Sequence, residues 1–301
     1  MRLVTFVSSA QQQTGLLLGD LVLPLVSAVQ AAKMALDVSS VLSIVRGGTS
    51  SWQALAELAA RANEFRSMCI AVSSVQLLAP IPQPLRNVFC VGRNYVDHVK
   101  EGMLGKAGEV PLPRAPQFFT KATHTVNAPQ GDIRLDTRIT RRLDYEVELA
   151  VVIGKGGRDI APEQAFEHVF GYCIANDITA RDLQLRHDQW FKGKSLDTSL
   201  PLGPSLVTRD EVPNVRELQL SLQVNGELRQ QATVAQMIFD IPAVIASLSA
   251  GLTLESGDII ATGTPSGVGY AMTPPRYLQH DDVVVASIAG LGELRNQVVA
   301  V

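Results

Sequence analysis

Apolar positions along this chain recur mostly at every second residue, the spacing of strands with one buried face. MRLVTFV at the N-terminus alternates in this way and is rich in β-branched residues, so it predicts a strand. LLLGDLVLPL follows as two short apolar runs around Gly19-Asp20, which predicts a hairpin. The period then changes. Trp52, Leu55 and Leu58/Ala59 fall on one face of a helix opening at Ser51, which stands in a capping position. Pro80, Pro82 and Pro84 then favour extended chain. They place a boundary near residue 82, with a small α+β domain over 1–82 and a larger domain over 83–301.

The second part is strand-rich. VFCVG (88–92), residues 145–153 and residues 169–177 read as buried strands, and 218–224, 258–261 and 282–288 complete the set. A short helix precedes a stretch (97–115) that holds Gly102, Gly105, Gly108, Pro111 and Pro113, a composition that permits motion. Residues 162–168 start a helix. Residues 237–254 predict another, ending at Gly251 and interrupted near its start by Pro242. The class is α+β.

Bulk properties narrow the function classes. Net charge is −3, and no basic, aromatic-interleaved stretch occurs, so nucleic acid is not an expected partner. The three cysteines, Cys69, Cys90 and Cys173, form neither a disulfide framework nor a zinc pair. They read as reduced thiols of a cytoplasmic protein. The N-terminus lacks a charged segment followed by an apolar run, and no stretch reaches the ~18 apolar residues of a membrane span.

The chemistry concentrates in Asp144-Tyr-Glu-Val-Glu-Leu. On a strand, Glu146 and Glu148 point to one face while Val147 and Leu149 point to the other. Two same-face carboxylates repel unless a cation lies between them, although a solvated strand face remains open on this motif alone. Asp177, at the end of another apolar strand, adds a third carboxylate. Three such oxygens suit a hard cation, Mg²⁺ or Mn²⁺, and leave about three octahedral positions for water or substrate. His98 and Glu101 sit three apart, on one side of a helical turn. Imidazole has the pKa of a general base, and a carboxylate can orient it; a surface His–Glu pair is the competing reading. Gly193-Lys194-Ser195 fails the phosphate-loop pattern because position 188 is Asp. Gly263-Thr-Pro-Ser-Gly-Val-Gly is a turn whose backbone can approach an anion closely. His124, His168, His187 and His280 have no ligand spacing.

Six ordered segments resemble the fumarylacetoacetate hydrolase family: CVGRNYVDHVKE (90–101), DYEVELAVVIGK (144–155), NDITARDLQ (176–184), GKSLDTSLPLGP (193–204), VNGELRQ (224–230) and GDIIATGTPSGVG (257–269). The likeness covers roughly residues 85–301, and the first eighty residues resemble the variable N-terminal domain of the bacterial two-domain branch. It implies a mixed β-sandwich roll for the catalytic domain, a homodimer, and one Mg²⁺ or Mn²⁺ per subunit on Glu146, Glu148 and Asp177. It implies His98 and Glu101 on a lid, with residues 103–117 setting substrate choice. Lys194 joins them as a catalytic residue, and Arg93, Tyr95, Arg181, Gln184 and Thr264 contact substrate. Val91 and Asp188 stand where fumarylacetoacetate hydrolases proper carry an acidic residue and a tyrosine, which argues against fumarylacetoacetate as substrate.

The expected activity is hydrolysis of a C–C bond in a small 2,4-dioxo acid, with His98 activating a water. Isomerisation, tautomerisation or decarboxylation of oxo acids, oxaloacetate among them, is the alternative on the same site. A closed, non-catalytic metal site is the reading from outside enzymes.

Overall fold

The computed structural model describes residues 1–102 and 111–301. Residues 103–110, and with them most of the expected lid segment 103–117, lie outside the described residues.

Two sheets carry the fold. The larger, twelve-stranded sheet passes from the N-terminal hairpins through Arg2–Ser8 to Leu200–Thr208, Val169–Asn176, Val147–Ile153, Ile259–Ala261, Val88–Gly92 and Gln117–Lys121. Most pairs are antiparallel, and Ile259–Ala261 runs parallel to Val88–Gly92. The smaller sheet holds Glu227–Thr233, Gln219–Val224, Val283–Ile288, Gly292–Ala300 and Ile133–Leu135. The chain is a strand-rich α+β protein.

Alternation along Val147–Ile153 explains how the layers stack. Val147, Leu149, Val151 and Ile153 pack in one core with Leu220, Leu222, Val284 and Leu294 of the smaller sheet. Ala150 and Val152 point the other way, into a core shared with Leu3, Ile44, Leu55 and Leu58 of the first eighty residues. Removing these side chains from water supplies roughly 25 cal/mol per Å² of apolar surface. The first strand also hydrogen-bonds the larger sheet, with Leu3 opposite Leu206. The residues on either side of position 82 thus share one sheet and one core.

The Gly19-Asp20 hairpin forms, joining Gln11–Leu18 to Leu21–Pro24. Two helix boundaries differ from the pattern. The helix predicted from Ser51 starts a turn earlier, at Gly48–Ala60, and no side chain caps it, so Ser51 is interior. The helix Ile241–Ser249 carries Pro242 in its first turn rather than being interrupted by it. Asp240 caps it by accepting from the Ala243 N–H at 3.0 Å. Proline is tolerated there because its missing N–H lies among donors the helix leaves unused. Residues 162–168 form a 3₁₀ rather than an α-helix. No helix among the described residues is long and apolar enough to cross a membrane.

Candidate active site

Strand pairing assembles the acidic cluster. Val147 lies opposite Asn176 and Glu148 opposite Ala175, and the Asp177 N–H donates to the Glu146 carbonyl at 2.8 Å. Asp177, just past the end of its strand, therefore lands beside the pair. One carboxylate oxygen from each of Glu146, Glu148 and Asp177 lies within 4.8 Å of the others, and all three residues are buried.

Cations surround this cluster unevenly. Lys194 Nζ sits 2.7 Å from Glu146 Oε2 and 2.6 Å from Asp177 Oδ2. Lys121, fully buried, donates to Asp177 Oδ1 at 2.7 Å and to the Ile178 carbonyl at 3.0 Å. Arg181 Nη2 reaches Glu146 Oε1 at 2.6 Å, while its Nε donates to Asp144 Oδ2 at 2.9 Å. Among the described residues no lysine or arginine pairs with Glu148, which accepts from the Gly263 N–H at 2.8 Å. The two glutamates accordingly diverge. Burial pushes Glu146 up, but Lys194, Arg181 and His98 outweigh it and hold the carboxyl at about 2. Burial, then Asp177 and Glu146, push Glu148 well above the usual carboxylate range. A like-charged group in a dry site prefers its proton unless a cation arrives. Three buried oxygens, with one carboxylate short of a counter-charge, fit a hard divalent ion such as Mg²⁺ or Mn²⁺.

The helix Val96–Glu101 forms the facing wall. Its His98 is 2.7 Å from Glu101 through Nδ1. The second Glu101 oxygen accepts from the Gly267 N–H at 2.8 Å. With Nδ1 committed, the other ring nitrogen, Nε2, is left for the cavity. Asn94, buried just before this helix, anchors it by donating to the carbonyls of Thr262 (2.8 Å) and Phe239 (3.0 Å).

The glycine turn proves to be an anion binder for the chain's own side chains. Gly263, Gly267 and Gly269 donate to Glu148, Glu101 and Asp144, each at 2.8 Å. Gly267 has φ +105°, and a Cβ there would lie 1.9 Å from the Arg229 carbonyl oxygen, so only glycine fits. Buried Gln230 fixes the rest of the turn. Its Nε2 donates to Thr264 Oγ1 and the Pro265 carbonyl, both at 2.8 Å, and its Oε1 accepts from the Val147 N–H at 3.0 Å.

A cavity of about 280 Å³ connects these walls. Of the residues singled out in the sequence, Arg93, His98, Glu146, Glu148, Arg181, Gln184, Lys194 and Thr264 line it. Asp177 lies against Lys194, and Glu101 stands behind His98. Tyr95 is buried away from the cavity lining, and its hydroxyl has no hydrogen-bond partner among the described residues. Lys121, Asp144, Gln230 and Trp190 were not singled out. Asp144 heads the DYEVEL motif, so its place was signalled but its role was not. The lone lysine ending Gln117–Lys121 gives a weaker sign.

The chain belongs to the fumarylacetoacetate hydrolase family. The profile of the fumarylacetoacetate (FAA) hydrolase C-terminal domain matches residues 87–299. The chain is 49% identical over 245 residues to oxaloacetate tautomerase YisK of Bacillus subtilis (strain 168), covering 81% of this chain and 80% of that one. Among solved structures it is similar to a fumarylacetoacetate hydrolase from psychrophilic Exiguobacterium antarcticum, at 40% identity and a TM-score of 0.82 over 100% of both chains. It also resembles maleylpyruvate hydrolase from Sphingobium sp. SYK-6, solved with manganese(II) and pyruvate. That match has 28% identity and a TM-score of 0.79, covering 100% of this chain and 99% of the other. The protein is thus a family enzyme with a divalent-metal site. The narrower expectation of a C–C hydrolase is only partly supported, because the oxaloacetate tautomerase likeness favours the alternative.

Proposed function

We propose that this protein interconverts the enol and keto forms of a small 2-oxo acid, with oxaloacetate as substrate. The observation that carries this reading is the placement of the His98–Glu101 pair and the Glu146–Glu148–Asp177 cluster on one cavity. The extended likeness to an oxaloacetate tautomerase supports it.

Glu146, Glu148 and Asp177 would hold the cation, which would supply Lewis-acid polarisation of the 2-oxo group and so make the neighbouring C–H more acidic. His98 Nε2 takes a proton from C3 of the keto form and passes it to the C2 oxygen, which gives the enol; in the reverse direction it takes the enol hydroxyl proton and delivers it to C3. Glu101 accepts from Nδ1–H, fixes the tautomer and steadies the imidazolium between the two transfers. Lys194, held above its ordinary pKa by Asp177 and Glu146 despite burial, stays an ammonium and offsets charge on the enolate oxygen. No water needs to attack.

The test is the decay of enol-oxaloacetate absorbance with Mn²⁺-loaded protein. Acceleration that chelator and Glu148→Gln both abolish is expected; an unaccelerated decay overturns the reading. The likeness to maleylpyruvate hydrolase favours a second reading, C–C hydrolysis of a 2,4-dioxo acid with His98 activating water. Release of pyruvate from an acylpyruvate, absent in His98→Ala, would select it.

A further inference from the structure

The charges around the cavity fall into two groups. The buried cluster holds four carboxylates, Asp144, Glu146, Glu148 and Asp177, against three cations, Lys121, Arg181 and Lys194. With all four ionised, as a bound cation would require, it is one negative charge in excess. A divalent ion turns that into one positive charge, which the single carboxylate of a 2-oxo acid head matches. Glu101, at the rim, is already matched by His98 and the Gly267 N–H. Each of the three cluster cations is already paired with a carboxylate of the cluster, at 2.9 Å or less.

Arg93 is different. It lines the same cavity, and no carboxylate among the described residues pairs with it. Its backbone lies in the left-handed region (φ 56°), which few non-glycine residues adopt. Its guanidinium lies 5.9 Å from the Trp190 ring centre. That ring is positioned in turn: Phe119 meets it edge-on at 5.4 Å, and Gly92 leaves room for it, since a Cβ there would stand 2.3 Å from the indole. A guanidinium backed by an aromatic face keeps its fork of donors free for a planar anion.

Building on the tautomerase reading, we infer that Arg93, seated against Trp190, binds the second carboxylate of the substrate and so selects dicarboxylic over monocarboxylic 2-oxo acids. The cluster with its ion balances the first carboxylate and Arg93 balances the second. A monocarboxylic acid would leave Arg93 unmatched.

The experiment measures binding as well as turnover. Mn²⁺-loaded wild type and Arg93→Gln are titrated calorimetrically with 3,3-difluoro-oxaloacetate, which cannot enolise, and with 2-oxobutanoate, which lacks the distal carboxylate. Losing a charge-assisted, forked contact predicts about 10–100-fold weaker binding of the dicarboxylate. The monocarboxylate should change by less than about threefold, because it never reaches the fork. Arg93→Lys should recover part of the loss, as a point charge without the fork. Equal losses for both ligands, or none for the dicarboxylate, overturn the assignment. If wild type fails to tautomerise oxaloacetate but binds the fluorinated probe through Arg93, the activity reading falls and the carboxylate subsite stands.

Discussion

At its inner end the cavity is walled by side chains that already hold one another. Asp177 is gripped by two lysines, Glu146 by a lysine and an arginine, and Arg181 by two carboxylates. At its mouth the exposed Arg93 has no carboxylate partner among the described residues, and on the facing wall the buried His98 hydrogen-bonds through Nδ1 alone among them. The inner end buries ionised groups, and every one but Glu148 is answered by a partner of opposite charge, which fixes the geometry before any ligand arrives. The mouth is wet, so its groups can wait for substrate at little cost to the fold. Changes at the inner end should therefore move stability and metal binding together, and changes at the mouth should move only catalysis or substrate binding.

The largest effect is expected from Glu148→Gln, which should reduce turnover to the uncatalysed background. The same change should stabilise the metal-free protein. A carboxyl whose pKa is raised by folding favours the fold below its unfolded value and loses that contribution as pH rises through its folded value. Metal-free wild type is thus penalised above about pH 4.3, where an unfolded glutamate ionises. The difference in melting temperature between Glu148→Gln and wild type should be positive and widen from pH 5 to pH 8. Glu146, held at about 2, has the opposite linkage: its contribution is present above the unfolded value and is lost as pH falls toward 2. A Glu148→Gln protein less stable than wild type at pH 8 without metal would break the contrast.

Next comes His98→Ala. Its rate should fall about 10²–10⁴-fold, the usual worth of a general base, with Mn²⁺ affinity within a factor of about three of wild type. Loss of the metal in this variant would mean that the two walls are not separable. Lys121→Met should act on the fold. Removing one member of a fully buried pair costs about 3–5 kcal/mol, readable by denaturant titration. A cost below about 1 kcal/mol would show that the site tolerates an unanswered charge. The smallest effect belongs to Gly92→Ala. The new Cβ would press on Trp190, a side chain at the mouth that can give way. A several-fold rise in KM, with unchanged melting temperature, is expected.

The part of this arrangement visible in the sequence is the part with a short repeat. Period-two alternation puts Glu146 and Glu148 on one face, and the same alternation divides Val147, Leu149 and Val151 from Ala150 and Val152 between two cores. The three-residue spacing of His98 and Glu101 likewise survives as a contact. What the chain does not show is which distant group answers each charge. Lys121 meets Asp177 across 56 positions, and Gln230 meets Val147 across 83. Such pairings depend on strand order in a folded sheet, not on any local pattern. Arg181 illustrates the limit: its TARD segment signalled the cavity that it lines, but not that its guanidinium would lie between Asp144 and Glu146. The Ser51 and Pro242 boundaries moved for local reasons, since cap and first-turn residues are interchangeable by composition over a few positions.

The most direct test is a Mn²⁺ titration of chelator-treated protein, read by electron paramagnetic resonance, for wild type and for Glu146→Gln, Glu148→Gln and Asp177→Asn. One ion per chain in wild type, and a loss of at least tenfold in affinity in each variant, is the predicted result. Wild-type affinity in any two of the three variants would contradict a metal centre built on these carboxylates.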